Sequence, residues 1–134
     1  MSGRASSIKF RVYYEDTDAA GIVYYANYLK FAERGRTELL RSLGFDHVHL
    51  REQHDLVFVV RRCTADYRRP ARLDDELEVV TAVSSIRGAR LAMSQSIRHR
   101  GEELVLVEVE LAVLSTNLLP RRLPPAVAAR LRSG

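Results

Sequence analysis

Tryptophan is absent from the 134 residues, and cysteine occurs once, at Cys63. A single thiol excludes an internal disulfide and a thiolate cluster around a metal. Cys63 lies in the β-rich run VVRRCTADY, where a lone thiol is expected to serve as a small core hydrophobe. Lysine is scarce as well, with only Lys9 and Lys30, so the net charge of +4 is carried by arginine. Its planar fork suits phosphate and carboxylate. An isoelectric point near 9.6 admits nucleic acid, a membrane surface or a phosphorylated small molecule as partner, without choosing among them. No apolar run is long enough to cross a bilayer. The start, MSGRASSIKF, lacks the apolar segment of a secretion signal, so the expected location is the cytoplasm.

What is present describes an ordinary globular chain, with 46% hydrophobic and 28% charged residues. The length fits one domain spanning residues 1–134, with a tail from Pro120 that carries three prolines and then AVAARLRSG, read as a short amphipathic helix. Alternation of apolar and polar residues marks a first strand over Ile8 to Tyr14, then four more over Leu56–Arg68, Leu77–Ser84, Ala89–Arg98 and Glu103–Leu114. Arg87-Gly88 and Arg100-Gly101 are the expected hairpin turns. Between the first strand and the rest, residues Ala26 to Leu43 follow the helical period, with Tyr28, Leu29, Ala32, Gly35, Leu39, Leu40 and Leu43 on one face. Gly44 follows as the expected left-handed cap. Gly35 inside that helix costs about 1 kcal/mol relative to alanine, which close approach of a sheet would explain. The polar segment holding His47, His49 and His54 reads as a loop, and no converging acids or thiols make it a metal site. One strand, one long helix and four strands with short turns give an α+β protein, an antiparallel sheet packed on the helix. The other sheet face, with Glu76, Glu78, Glu108 and Glu110 beside Val80 and Leu106, is left for solvent or for contacts between subunits.

The chemistry concentrates in YYEDTDAAGIVYYANY, residues 13–28. Glu15, Asp16 and Asp18 stand between a strand end and a helix start, and Gly21 lets the backbone turn sharply. The first turn of a helix offers unpaired N–H groups and the positive end of its dipole. A carboxylate beside such donors is what hydrolysis of an activated acyl group requires. Against this stands the plain reading of Asp and Thr as turn and capping residues, favoured for Asp16 and evenly balanced for Asp18.

The run RVYYEDTDAAGIVYYANYLKFAERGRTELLRSLGF closely resembles the 4-hydroxybenzoyl-CoA thioesterase family, nearest to the branch of acyl-CoA thioesterases associated with the bacterial Tol-Pal system. FVVRRCTADYRRPARLDDELEV and PRRLP resemble that branch too, so the likeness covers most of the chain. It implies the hotdog fold, an antiparallel sheet of about five strands wrapped around one long central helix, and hydrolysis of acyl-CoA to a free acid and coenzyme A. The second aspartate of the family's D-x-D-x-x-G motif falls on Asp18 as the catalytic carboxylate. The oxyanion contact falls on the backbone N–H of Tyr25. Near relatives of the Tol-Pal branch carry histidine there and the 4-hydroxybenzoyl branch carries tyrosine, as here. Glu33 matches an acidic position near the acyl group, and a solvated helix residue is an equal reading. Gly21 belongs to the substrate loop. A homodimer, commonly paired into a homotetramer, is implied.

Coenzyme A carries a pyrophosphate and a 3′-phosphate, so Arg61, Arg62, Arg68, Arg69 and Arg72 are candidates to hold it, each weighed against being a solvated strand residue. No cofactor is needed beyond the coenzyme A of the substrate. A hotdog dehydratase would need a histidine near the loop, and none occurs before Asp46. The remaining alternative is a non-catalytic module binding acyl-CoA or acyl carrier protein. Nucleic acid is disfavoured, because the tyrosines surround an acidic loop.

Overall fold

Five strands form one antiparallel sheet in the order β1-β3-β4-β5-β2: β1 (Ala5–Arg11), β2 (Val57–Tyr67), β3 (Glu76–Arg87), β4 (Arg90–His99) and β5 (Glu102–Leu114). The computed structural model describes residues 5–132; residues 1–4 and 133–134, the outer ends of the opening segment and of the tail, lie outside the described residues. The two central hairpins use two-residue turns. Gly88 has positive φ in the first, and Arg100 and Gly101 both do in the second, the backbone that matches strand twist.

Helix α1 (Asn27–Ser42) lies across β1, β3, β4 and β5. Its buried stripe is Tyr28, Phe31, Ala32, Gly35, Leu39 and Leu40. Two assignments to that stripe change. Leu29 is largely exposed, and Phe31 is fully buried against Phe10, with ring centroids 4.6 Å apart. The helix ends as expected: Gly44 at φ 88 lets Phe45 N–H reach Leu40 O at 2.9 Å and Gly44 N–H reach Arg41 O at 3.0 Å. These are the paired bonds of a Schellman cap.

The segment expected to be a histidine loop is instead helix α2 (His47–His54). Asp46 starts it by accepting from His49 N–H at 2.7 Å, and Asp55 ends it in the left-handed conformation. The eight residues carry no clear apolar period, only Leu50 being buried, which is why periodicity overlooked them. The tail does form a helix, α3 (Pro125–Arg132), which buries Val127, Ala128 and Leu131 beside Leu39, Leu40 and Val113.

Strand β2 is a sheet edge. A bulge at Arg61 resets its alternation, so Val60 and Cys63 both lie opposite inward-facing residues, Leu111 and Val109. Cys63 is therefore on the core side, yet exposed, because α1 lies chiefly over the other four strands and leaves a cavity beside this edge. The expectation of a buried thiol is corrected on that ground.

Candidate functional site

The acidic loop has a definite architecture. Thr17 and Val23 form a bridge, Asp18 N–H donates to Ile22 O at 2.9 Å, and Gly21 N–H donates to Asp18 O at 3.0 Å. Asp18 to Gly21 is thus a tight turn closed by Gly21 at φ 78, a conformation that glycine adopts without strain. Asp18 Oδ1 accepts from Ala20 N–H at 2.8 Å, an Asx turn. The other carboxylate oxygen has no partner among the described residues, and the side chain is exposed. Asp18 therefore does turn work with one oxygen and leaves the second available.

Asp16 differs sharply. It is buried, accepts from Tyr13 N–H at 2.9 Å and from Asn27 Nδ2 at 2.7 Å, and its own carbonyl accepts from Tyr24 N–H at 3.0 Å. These bonds fasten the loop to the first residue of α1. Asp16 is structural, as the plain reading had it.

At the start of α1, Ala26 is the N-cap and supplies no side-chain cap. Tyr25 N–H has no acceptor among the described residues. The Tyr25 ring is exposed and stacks with Tyr24 at 4.9 Å and edge-on to Tyr67 at 6.2 Å. Tyr67 Oη in turn donates to Tyr25 O at 3.2 Å. Together with Tyr28, Ile22, Arg68 and Arg69 these residues line a groove of about 300 Å³. The Tyr28 hydroxyl accepts from Ala71 N–H at 2.9 Å, and burial holds its pKa above the ordinary tyrosine value. The sequence treats Tyr67 as an ordinary sheet residue, but its place at the end of β2 makes it a wall of this groove and a brace for the Tyr25 backbone.

The sequence-predicted residues are only partly brought together. Tyr25, Arg68 and Arg69 share the groove, and Asp18 is joined to it only through its backbone partner Ile22, which is one of the lining residues. Glu33 sits elsewhere, on a separate cavity with Arg36 and Thr37. Arg61 pairs with Glu110 at 3.0 Å, the carboxylate also holding Arg90 at 3.2 Å. Arg62 lies on the outer sheet face opposite Glu110, away from both. Arg72 is exposed, its backbone bridged to Ile22. Arg68 pairs with Asp66 and Glu103, and Arg69 with Glu102 at 3.2 Å. Exposed pairs of this kind contribute ~0–1 kcal/mol, so they hold the two arginines only weakly. Among the described residues no group of three or more His, Cys, Asp or Glu side chains converges as a metal site.

Comparison with known proteins agrees with this architecture. Acyl-CoA thioester hydrolase YbgC of Escherichia coli O6:H1 is 45% identical over 125 residues, covering 91% of this chain and 92% of that protein. The crystal structure of a probable thioesterase from Bartonella henselae is 42% identical and superposes with a TM-score of 0.86, over 90% of this chain and all of that one (100%). A 4-hydroxybenzoyl CoA thioesterase, solved with 4-hydroxybenzoyl CoA, matches in fold at TM-score 0.90 with 16% identity, over 96% of this chain and 99% of that one. The five-stranded sheet on a long helix is thus the hotdog fold, and with the thioesterase-like superfamily model matching residues 12–131, the chain belongs to that superfamily.

Proposed function

We propose that the protein is an acyl-CoA thioesterase, hydrolysing the thioester to a free acid and coenzyme A in the groove at the start of α1. The observation that carries this reading is the unpaired Tyr25 N–H beside a turn that leaves one Asp18 oxygen without a partner. Asp18 either takes a proton from water, which adds to the thioester carbon, or adds to that carbon itself. The negative charge that builds on the carbonyl oxygen is accepted by Tyr25 N–H and the helix dipole. The carbon–sulfur bond then breaks. In the first route coenzyme A leaves as a thiolate and takes up the proton held by Asp18. In the second it leaves the acyl group on Asp18 as a mixed anhydride, which water hydrolyses to the free acid and the Asp18 carboxylate, the water's proton going to the thiolate. Arg68 and Arg69 hold the phosphates of coenzyme A. The chemistry calls for no cofactor, and the cytoplasm, where acyl-CoA is made and used, is the proposed location. Among the described residues no helix is long and apolar enough to cross a membrane.

We read the active form as a homodimer or homotetramer. Support comes from the β2 edge, whose Val59 and Val60 are 44% and 48% exposed with backbone groups open to pairing. A second copy paired along the whole of this edge would run past Tyr67, a wall of the groove. Acyl carrier protein is an alternative donor of the acyl group.

Thiol release from an acyl-CoA panel by wild type and Asp18→Asn tests the assignment. Asparagine keeps an oxygen for Ala20 N–H and so preserves the turn. The expected loss is ~10²–10⁴ in rate. Equal turnover by both proteins would exclude the role. The engaged Oδ1 favours a second reading, non-catalytic binding of acyl-CoA or acyl carrier protein, which predicts binding of acyl-CoA without thiol release.

A further inference from the structure

One residue beyond Gly35, the sheet takes hold of an arginine. Arg36 Nη1 donates to Gln95 Oε1 at 3.0 Å. Gln95 is fully buried and spends its amide nitrogen on Ala32 O at 2.7 Å and Thr81 Oγ1 at 2.9 Å, so it is a fixed anchor. Arg36 is half-buried, and among the described residues no carboxylate lies within ion-pair distance of it. Burial disfavours its charged form and lowers its pKa, with Glu33 and Cys63 working in the opposite sense. A guanidinium does not shed its proton at ordinary pH, so the cation stays and its spare N–H donors remain without a charged partner. Holding a half-buried cation unpaired costs stability, and an anion arriving there recovers it.

The space available to that anion is a cavity of about 250 Å³ between α1 and the inner face of the sheet. Leu40, Phe58, Met93 and Leu111 form its apolar walls, and Arg36 and Glu33 its charged ones. The volume falls near the small end of ligand sites, roughly 300–1,000 Å³. Arg36 is eleven positions beyond Tyr25 in the chain, about 16 Å along the axis at 1.5 Å per residue. Helical side chains lean toward the N-terminus, which shortens that span. An apolar chain with one charged end is the shape such a cavity admits.

We infer that this cavity receives the far end of the acyl group and that Arg36, held by Gln95, selects acyl chains ending in a carboxylate, the monothioesters of dicarboxylic acids. The inference rests on the thioesterase reading and names its substrate class. Glu33 is exposed at the rim, where solvent screens it, and it weakens the preference without cancelling it.

Matched thioesters of equal chain length, one ending in methyl and one in carboxylate, test this over a short- to medium-chain series. Wild type should favour the carboxylate-ended member in kcat/KM at one or more lengths. Arg36→Gln should lose that preference by roughly tenfold or more while still turning over the methyl-ended member, since a charge-assisted hydrogen bond is the interaction removed. Glu33→Gln, at an exposed position that leaves the core untouched, should increase the preference. An unchanged ratio in Arg36→Gln, or a wild type that favours methyl ends at every length, overturns the inference. If wild type hydrolyses neither series, the thioesterase reading fails instead. Calorimetric binding of a medium-chain dicarboxylate to wild type and Arg36→Gln then decides the cavity: tighter binding by wild type supports it, and equal or no binding overturns it.

Discussion

Gly35 and Thr81 lie so close that a Cβ on the glycine would meet Thr81 Oγ1 at 2.6 Å, with Val79 Cγ1 at 2.8 Å and Gln95 Nε2 at 2.9 Å. Missing side-chain atoms on the helix are what let α1 sit down on β3 and β4. Gly35→Ala would gain about 1 kcal/mol of helix propensity and would force apart atoms that are themselves fully buried, at a typical cost of 1–3 kcal/mol. The expected net effect is destabilisation by up to about 2 kcal/mol in urea unfolding. A variant more stable than wild type would show the contact to be soft.

Asp16 offers a different failure. Replacing it by alanine removes the acceptor for Tyr13 N–H and Asn27 Nδ2 together. A buried donor left unpaired costs about 1–3 kcal/mol and these two bonds are part-buried, so Asp16→Ala should lower stability by about that amount for the pair and slow thiol release through a displaced loop. Asp18→Ala, losing one exposed turn bond, should unfold at nearly the wild-type denaturant concentration. Equal destabilisation by the two changes would contradict the division of labour drawn between these aspartates.

Arg68 and Arg69 are expected to act on binding. Arg68→Ala and Arg69→Ala should each raise KM for acyl-CoA by about tenfold, the size of one charge-assisted hydrogen bond, with kcat nearly kept. A truncated thioester without the nucleotide should show no such change. If KM for the truncated substrate rises equally, the arginines support the groove instead of the phosphates.

Asp55 carries a pH signature. Its carboxylate accepts from the Thr116 hydroxyl and Thr116 N–H, with Arg121 nearby, and these partners hold its pKa below the ordinary aspartate value. A group depressed on folding stabilises above its unfolded pKa, about 3.9, and the contribution disappears as pH falls through the folded value. Wild type should therefore be more stable than Asp55→Asn at pH 7, the two curves converging below about pH 4. Asparagine tolerates the left-handed backbone at this position (φ 51), so the comparison isolates charge. Thermal unfolding across that range checks it, and a gap that persists in acid would assign the effect to geometry.

Much of this was legible in the residues. Strict alternation gave β3, β4 and β5, the Gly44 stop was a matter of backbone sterics, and Asp16 behaved as a turn residue should. The misses share a cause: each depends on what other elements do or do not cover. Leu29 and Phe31 flank the buried stripe from opposite sides of the helical wheel, and the position of β1 decides which is covered. Cys63 points inward on an edge strand that α1 covers only loosely. Arg36 reads as one more polar residue on the helix, and its distinction comes from Gln95, 59 positions away in the chain. Asp18 is a candidate by motif alone, and its bond to Ala20 N–H, a turn role, required coordinates.

The tail closes both helices. Arg130 donates to Leu43 O at 2.8 Å with its guanidinium 5.2 Å from the Phe45 ring centre, and Arg121 donates to His54 O at 2.6 Å and Asp55 O at 2.9 Å. These are the carbonyls left over at the ends of α1 and α2. A chain that stops short of Arg121 leaves Leu43 O, His54 O and Asp55 O without these donors and the bed of Leu131 open to water. The apolar seam formed with Leu39, Leu40 and Val113 is thus complete only when the last helix is in place.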